Sequence, residues 1–171
     1  VNSEDDIIVY NRNVPGSSMP QSKVETLYKN GSLGKFKDAL LAFKSYKNWI
    51  PRCSKSEMVK NDSERLIYYA IYAAPWPVSD RDVYVEVTFT ESENKSVMTS
   101  KALKNFKPEE EDNVRVNLMN LEWIVEQKGK DVFISNTSFS KPGGNIPNWL
   151  TSDATTNLPL KLIQNLIEVV A

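Results

Sequence analysis

Apolar and polar residues alternate along most of this chain, and the alternation yields to helical spacing in two stretches. The clearest alternating run starts at Arg81. Arg81, Val83, Val85, Val87 and Phe89 fall on one side of an extended segment, and Asp82, Tyr84, Glu86, Thr88 and Thr90 on the other. Strands are also predicted at 5–12, around Ile7, Ile8, Val9 and Tyr10, and at 22–29, where Val24, Thr26 and Tyr28 alternate with Lys23, Glu25 and Leu27. The loop from Val14 to Ser18 joins these two into a hairpin. Further strand-like runs cover 53–60, 63–74, 81–91, 95–103, 114–127 and 131–140. Their separators, Asn61-Asp62, Glu91 to Asn94 and Lys128-Gly129-Lys130, are short, which predicts an antiparallel meander because parallel pairs need long crossovers. The break at 104–113, with Pro108 and the acidic run Glu109 to Asp112, is predicted to be an exposed loop.

The first helical stretch follows Gly31-Ser32. Leu33, Phe36, Leu40 and Phe43 recur on one face, Ala39 reinforces it, and Ser32 is the predicted N-cap. Pro51 ends this helix and leaves Trp49 and Ile50 against the core. Lys35, Lys37, Lys44 and Lys47 read as a solvated face. The second stretch is the C-terminus, where Ile146, Leu150, Ala154, Leu158, Leu162, Leu166 and Val170 fall at every fourth position, with Ile163 and Ile167 widening the stripe. A helix of about 25 residues would be ~37 Å long, enough to cross a sheet. Pro147 suits its first turn; Pro159, together with the weak helix formers Thr151 to Asn157, predicts a kinked helix in two pieces.

Between the strands, Ala74-Pro75-Trp76-Pro77-Val78-Ser79-Asp80 forms a stiff loop, because two prolines fix their own φ and push the residues before them toward extended backbone. Arg81 then heads an apolar face. A guanidinium in that position needs an oxygen partner, and two readings stand: a structural arginine bonded to loop carbonyls, or one that contacts a ligand. An α+β chain of this kind, a curved antiparallel sheet wrapped around a long C-terminal helix, leaves an internal hydrophobic cavity, which is the general form of a small-molecule site.

Composition narrows the chemistry. The 171 residues make one domain, 1–171, long enough to bury about two-thirds of its unfolded surface. There is no histidine and a single cysteine, Cys53, so Ser-His and Cys-His catalysis, His-zinc sites and an intrachain disulfide are all excluded. The net charge of −1 gives no sign of a nucleic-acid partner. Residues 1–60 carry 10 Lys+Arg against 6 Asp+Glu and the remainder 11 against 16, an asymmetry too mild to mark a docking patch. Four Asn-X-Ser/Thr triplets, at Asn30, Asn61, Asn94 and Asn136, read as chance in an Asn- and Ser-rich chain. The chain begins at Val1 and no run approaches the ~18 apolar residues of a membrane span. Its compartment is therefore left open between the cytoplasm and, if a leader was removed before Val1, the periplasm or exterior.

Four segments in order carry a family resemblance: Tyr46-Lys47-Asn48-Trp49-Ile50-Pro51 with Cys53 and Ser56; Ala74 to Asp82; Val114-Arg115 with Trp123; and Pro142-Gly143-Gly144-Asn145-Ile146-Pro147-Asn148-Trp149-Leu150. On these the chain resembles a START domain, the lipid-transfer module related to steroidogenic acute regulatory protein, within the helix-grip superfamily. The resemblance implies a curved sheet gripping the last helix around a tunnel for one hydrophobic ligand such as a sterol, phospholipid or ceramide. It implies no catalysis, cofactor or metal, a monomer, and transient contact with a membrane surface. It puts a gate at Pro75–Asp80 and the helix from Pro147, and matches Arg81 to the family's interior arginine. Lys141 departs from the Asp that commonly precedes Pro-Gly-Gly, and the chain looks like the compact members, bacterial ones among them.

Three function classes follow. The first is non-enzymatic binding, with transfer of a lipid between membranes. Arg81 anchors the ligand, Val83, Val85, Leu150, Leu158, Leu162 and Leu166 form apolar wall, and Trp76 guards the entrance. The second is an aromatase/cyclase-like enzyme of the same superfold, whose acid or base would come from Asp, Glu, Arg81 or the tyrosines Tyr68, Tyr69 and Tyr72. The third is a lipid-dependent sensor or adaptor, for which these residues offer no appended domain to receive a signal.

Overall fold

The architecture was obtained as a computed structural model that describes residues 6–109 and 111–171. The predicted strand start at Asp5 and the acidic residue Glu110 lie outside the described residues. Among the described residues nine strands form one sheet: β1 (Ile8–Arg12), β2 (Gln21–Tyr28), β3 (Cys53–Asn61), β4 (Leu66–Tyr72), β5 (Arg81–Ser92), β6 (Lys95–Ala102), β7 (Val114–Arg115), β8 (Leu118–Lys128) and β9 (Asp131–Lys141). Their order is β1-β2-β9-β8-β6-β5-β4-β3, antiparallel throughout that path. The helices are α1 (Leu33–Leu41), the single turn α2 (Tyr46–Trp49) and α3 (Asn148–Val170). This is the expected α+β architecture, an open curved sheet with a long C-terminal helix.

Three local expectations differ from what is found. The segment predicted as one strand at 114–127 is two, and the short β7 pairs parallel to β5, Arg81 with Val114 and Asp82 with Arg115. An ionic anchor explains the departure. Arg115 Nε and Nη2 donate to the two carboxylate oxygens of Asp82 at 2.8 and 2.9 Å, and Tyr69 donates to the same carboxylate at 3.1 Å. Arg115 also reaches the carbonyls of Lys107 and Pro108, drawing that part of the connection toward Asp82, which is fully buried. Such a bidentate pair survives burial because both carboxylate oxygens and all three guanidinium nitrogens have partners.

The first helix also differs. Ser32 occupies the N-cap position, but its hydroxyl makes no capping bond; Gln127 of β8 instead accepts the Leu33 amide proton at 2.9 Å. The helix predicted to continue to Pro51 breaks at Ala42 into a three-residue 3-10 turn and α2. The break turns Phe43 onto the sheet, where it stacks on Tyr68 with ring centres 5.1 Å apart.

The third difference is α3, which is one continuous helix with Pro159 inside it. A proline there lacks the N–H that would serve the carbonyl four residues back, Thr155. Ser22 of β2 supplies the missing donor: its Oγ donates to the Thr155 carbonyl at 2.9 Å and lies 2.7 Å from the Asn11 amide group. Elsewhere the helix is held by the Asn165 amide on the Trp49 carbonyl at 2.6 Å, the Arg52–Asp153 ion pair at 2.6 Å, and Lys35 on the Val170 carbonyl at 3.3 Å.

The interior is divided along α3. Its C-terminal half packs Ile163, Leu166 and Val170 into a core with Phe36 and Leu40 of α1 and Val132 and Ile134 of β9. Its N-terminal half covers the part of the sheet where the site lies.

Ser22→Ala is expected to cost roughly 1–3 kcal/mol, the penalty of an unmatched buried carbonyl. The same change should cost close to nothing in a Pro159→Ala background, where residue 159 regains its own N–H. Chemical denaturation of the four proteins in a double-mutant cycle measures this coupling, and additive effects would refute the account of Thr155.

Candidate functional site

A cavity of about 290 Å³ lies between the N-terminal half of α3 and the concave face of the sheet. Leu150, Ala154, Leu158 and Leu162 form its ceiling. The floor comes from alternate residues of three adjacent strands, Met98 and Ser100 of β6, Met119, Leu121 and Trp123 of β8, and Asn136, Ser138 and Ser140 of β9. β4 and β5 contribute Tyr68, Tyr72, Arg81 and Val83. The volume sits at the lower edge of the ~300–1,000 Å³ typical of ligand sites.

Of the residues expected to form the site, Arg81, Val83, Leu150, Leu158 and Leu162 line this cavity. Val85, Leu166 and Trp76 do not. Val85 shares the face of Val83 but pairs with Tyr68, where the Phe43 ring fills the interior. Leu166 is one turn beyond Leu162, where α3 has descended onto α1 and the apolar core. Trp76 projects outward and is 92% exposed. The polar floor residues Ser100, Asn136, Ser138 and Ser140 were missed, because β9 is polar on both faces over much of 135–140 and alternation there disappears.

Arg81, 8% exposed, decides the shape of the mouth. Its Nη1 donates to the Ser79 carbonyl, Nη2 to the Gly143 carbonyl at 2.9 Å and Nε to the Pro142 carbonyl at 3.4 Å. One guanidinium thus joins the 73–80 loop to the 142–147 loop, and it lines both the cavity and an outer recess between Pro77–Ser79 and Gly144–Pro147. Each loop is shaped to present its carbonyls. Asp80 accepts the Ala74 amide proton at 2.9 Å and the Val78 amide donates to the Pro75 carbonyl at 2.9 Å. On the other side Gly143 and Gly144 both take positive φ, +72° and +64°, a backbone that glycine adopts without penalty. Burial lowers the Arg81 pKa, opposed by the charge of Asp80.

The three tyrosines of the inner wall are unsuited to act as bases. Burial raises the pKa of Tyr46, Tyr68 and Tyr72, and the Tyr46 hydroxyl donates to the Leu40 carbonyl at 2.5 Å. Tyr69 lies on the opposite face, bonded to Asp82. Burial likewise pushes the Cys53 thiol up to about 11. Among the described residues no group of three or more His, Cys, Asp or Glu side chains gathers to hold a metal, and no carboxylate or lysine lines the cavity.

A bacterial STAR-related lipid transfer protein fragment from Xanthomonas axonopodis superposes with a TM-score of 0.86 over 96% of this chain and 93% of its own, at 24% identity. This is a START fold. Human STARD10 shares it, with a TM-score of 0.84 over 96% of this chain and 69% of that one, at 15% identity. In sequence, the uncharacterized protein PA1579 of Pseudomonas aeruginosa is 31% identical over 120 residues, 69% of this chain and 59% of that relative's length. No protein-family model matches the chain. In START terms, the cavity is the space between the gripped helix and the sheet, and Arg81 stands at its mouth.

Because the folded pKa values of Tyr46, Tyr68 and Tyr72 lie above the ordinary ~10 of an exposed tyrosine, their contribution to stability is full below about pH 10 and is lost as pH rises through the folded values. In a tyrosinate absorbance titration, at least three of the seven tyrosines should stay un-ionised until the fold collapses. Ionisation of all seven in a still-folded protein would contradict their burial.

Proposed function

We propose that this chain binds one hydrophobic molecule in the cavity beneath α3 and exchanges it at a membrane surface, without catalysing a reaction on it. The observation that carries the reading is a largely apolar cavity without a carboxylate, whose two cationic neighbours are held in place by the protein, Arg81 with part of its donor capacity left over. Arg52 is paired with Asp153, and Arg81 has three of its five N–H groups on loop carbonyls. A hydrophobic ligand gains about 25 cal/mol for each Å² of apolar area it buries there. The remaining N–H groups of Arg81 serve its polar end. The START fold of the lipid transfer proteins is consistent with this use, though fold alone does not assign it. The enzyme alternative needs an acid or base in the cavity; the described lining holds no carboxylate, and burial raises the Tyr68 pKa, so a general base is what it lacks.

The volume suits a single hydrocarbon chain or a compact ring system, and bulkier lipids enter only if the walls move. Exchange proceeds by parting the 73–80 and 142–147 loops, which Arg81 ties together. Two exposed tryptophans stand on or beside these segments, Trp76 on the first and Trp149, 54% exposed, in the opening turn of α3. Tryptophan is favoured at membrane–water interfaces, so the mouth of the cavity faces the bilayer when the protein docks.

Native mass spectrometry of the purified protein, followed by denaturing release, is expected to find one hydrophobic molecule per chain, or uptake of one when sterols, phospholipids and fatty acids are offered. A protein that carries nothing and takes up nothing would refute the reading. Arg81→Leu is expected to raise the ligand release rate about tenfold or more with the fold intact by circular dichroism; an unchanged rate would remove Arg81 from the gate. Trp76→Ala with Trp149→Ala should lower association with phospholipid vesicles several-fold in a flotation assay, and equal flotation would place the membrane contact elsewhere.

A further inference from the structure

We infer that the cavity floor recognises a neutral oxygen function partway along the ligand, so that the preferred occupant is an oxygenated hydrophobe, hydroxylated or carbonyl-bearing on its hydrocarbon body, rather than an unsubstituted chain. The inference rests on the binding function proposed above and concerns which hydrophobic molecule is bound.

Its basis is a change of character along β9. The inward-facing residues of this strand are Val132 and Ile134 where the interior is filled, then Asn136, Ser138 and Ser140 where the cavity begins. β6 repeats the theme with Ser100. In register, Ser100 and Ser138 flank Leu121 in one row, and Asn136 stands beside Trp123 in the next. Ser100 to Ser138 spans two strand spacings, about 10 Å. Ser100 is 5% exposed, and its Oγ is buried without any hydrogen-bond partner among the described residues. Asn136 is buried too, and its Nδ2 reaches the Glu122 carbonyl only at 3.4 Å, the long limit of a hydrogen bond. Buried hydroxyls and amides are rarely left so poorly matched, and an unmatched group costs stability that an apolar residue would not. A floor built only to hold alkyl chains would continue the valines and isoleucines of β9.

The class of partner follows from the chemistry of the band. Ser100, Asn136 and Ser138 are uncharged and offer both donors and acceptors, which fits a hydroxyl or carbonyl and gives no countercharge to a carboxylate or phosphate. These three lie on β6 and β9, whereas Arg81 lies at the mouth on β5. The recognised oxygen is therefore separate from any polar end held by Arg81.

The test compares octadecanoic acid with isomers carrying one mid-chain hydroxyl, each measured by displacement of the dye anilinonaphthalene sulfonate from the full chain. At least one hydroxylated isomer should bind about tenfold tighter than the plain acid, the factor that corresponds to about 1.4 kcal/mol. Ser100→Ala should abolish that preference, so that the variant binds the hydroxylated isomer no tighter than it binds the plain acid, and should melt no lower than the parent because it removes an unmatched hydroxyl. Ser96→Ala is the internal control: Ser96 lies on the same strand and face, its Oγ is also unpartnered, and it lies outside the cavity lining, so the preference should persist. Ser138→Ala provides the same readout should Ser100→Ala fold poorly. Equal binding of all the acids, or a preference that survives both Ser100→Ala and Ser138→Ala, overturns the inference and leaves the binding function standing. Failure of every acid to bind overturns the inference as well, and the binding function falls with it only when sterols and phospholipids also fail to bind.

Discussion

One helix must serve here as both core and ceiling. Over its last turns α3 is fixed by apolar contact, with Ile163 and Leu166 fully buried. Over its first turns that contact is replaced by a cavity, and the helix is held in place by polar ties: the Arg52–Asp153 pair and the Ser22 hydroxyl on the Thr155 carbonyl. Packing energy scales with the apolar area removed from water, so the two halves of α3 differ in how firmly they are held, and the looser half is the one that covers the site. The cavity exists because this part of the interior was left without side chains to fill it.

The start of β5 carries the complementary constraint. Arg81 and Asp82 are consecutive, point to opposite faces and are both buried. Asp82 fastens the outer face to Arg115 and through it to Lys107 and Pro108, while Arg81 fastens the inner edge to the 73–80 and 142–147 loops. Two adjacent side chains of opposite charge thus organise both sides of the sheet around the mouth. Each charge is tolerated because its hydrogen-bonding capacity is met locally, Asp82 by a guanidinium and a phenol, Arg81 by carbonyls.

Much of this was legible in the chain. Alternation identified the inner face of β5, and the every-fourth-residue stripe identified the face of α3 that looks at the sheet. Periodicity specifies a face but not a depth along it, which is why Val85 and Leu166 share the period of the lining residues and yet lie in filled core. The continuity of α3 through Pro159 depended on Ser22, a donor 133 positions before the Thr155 carbonyl it serves, and no local rule could supply it. Ser32 had the composition of a cap, but Gln127, distant in sequence, makes the bond. The polar floor was hidden because Asn136 to Ser140 is polar on both sides apart from Phe139, and a pattern with so little contrast gives no orientation. Short motifs fared better, since Pro-Trp-Pro and Pro-Gly-Gly constrain the backbone by themselves.

The bond between Ser22 and Thr155 also links places that otherwise have little in common. Ser22 belongs to the hairpin at the rim of the sheet, its oxygen lies against Asn11 of the outermost strand, and Thr155 lies in the helical span above the cavity. A guest large enough to raise that span must stretch or release this bond, and the disturbance then reaches β1 and β2 without crossing the floor. The rim of the sheet and the helix above the cavity are in this way mechanically joined, and any rise of that span would be felt at residues 9–12 and 21–24.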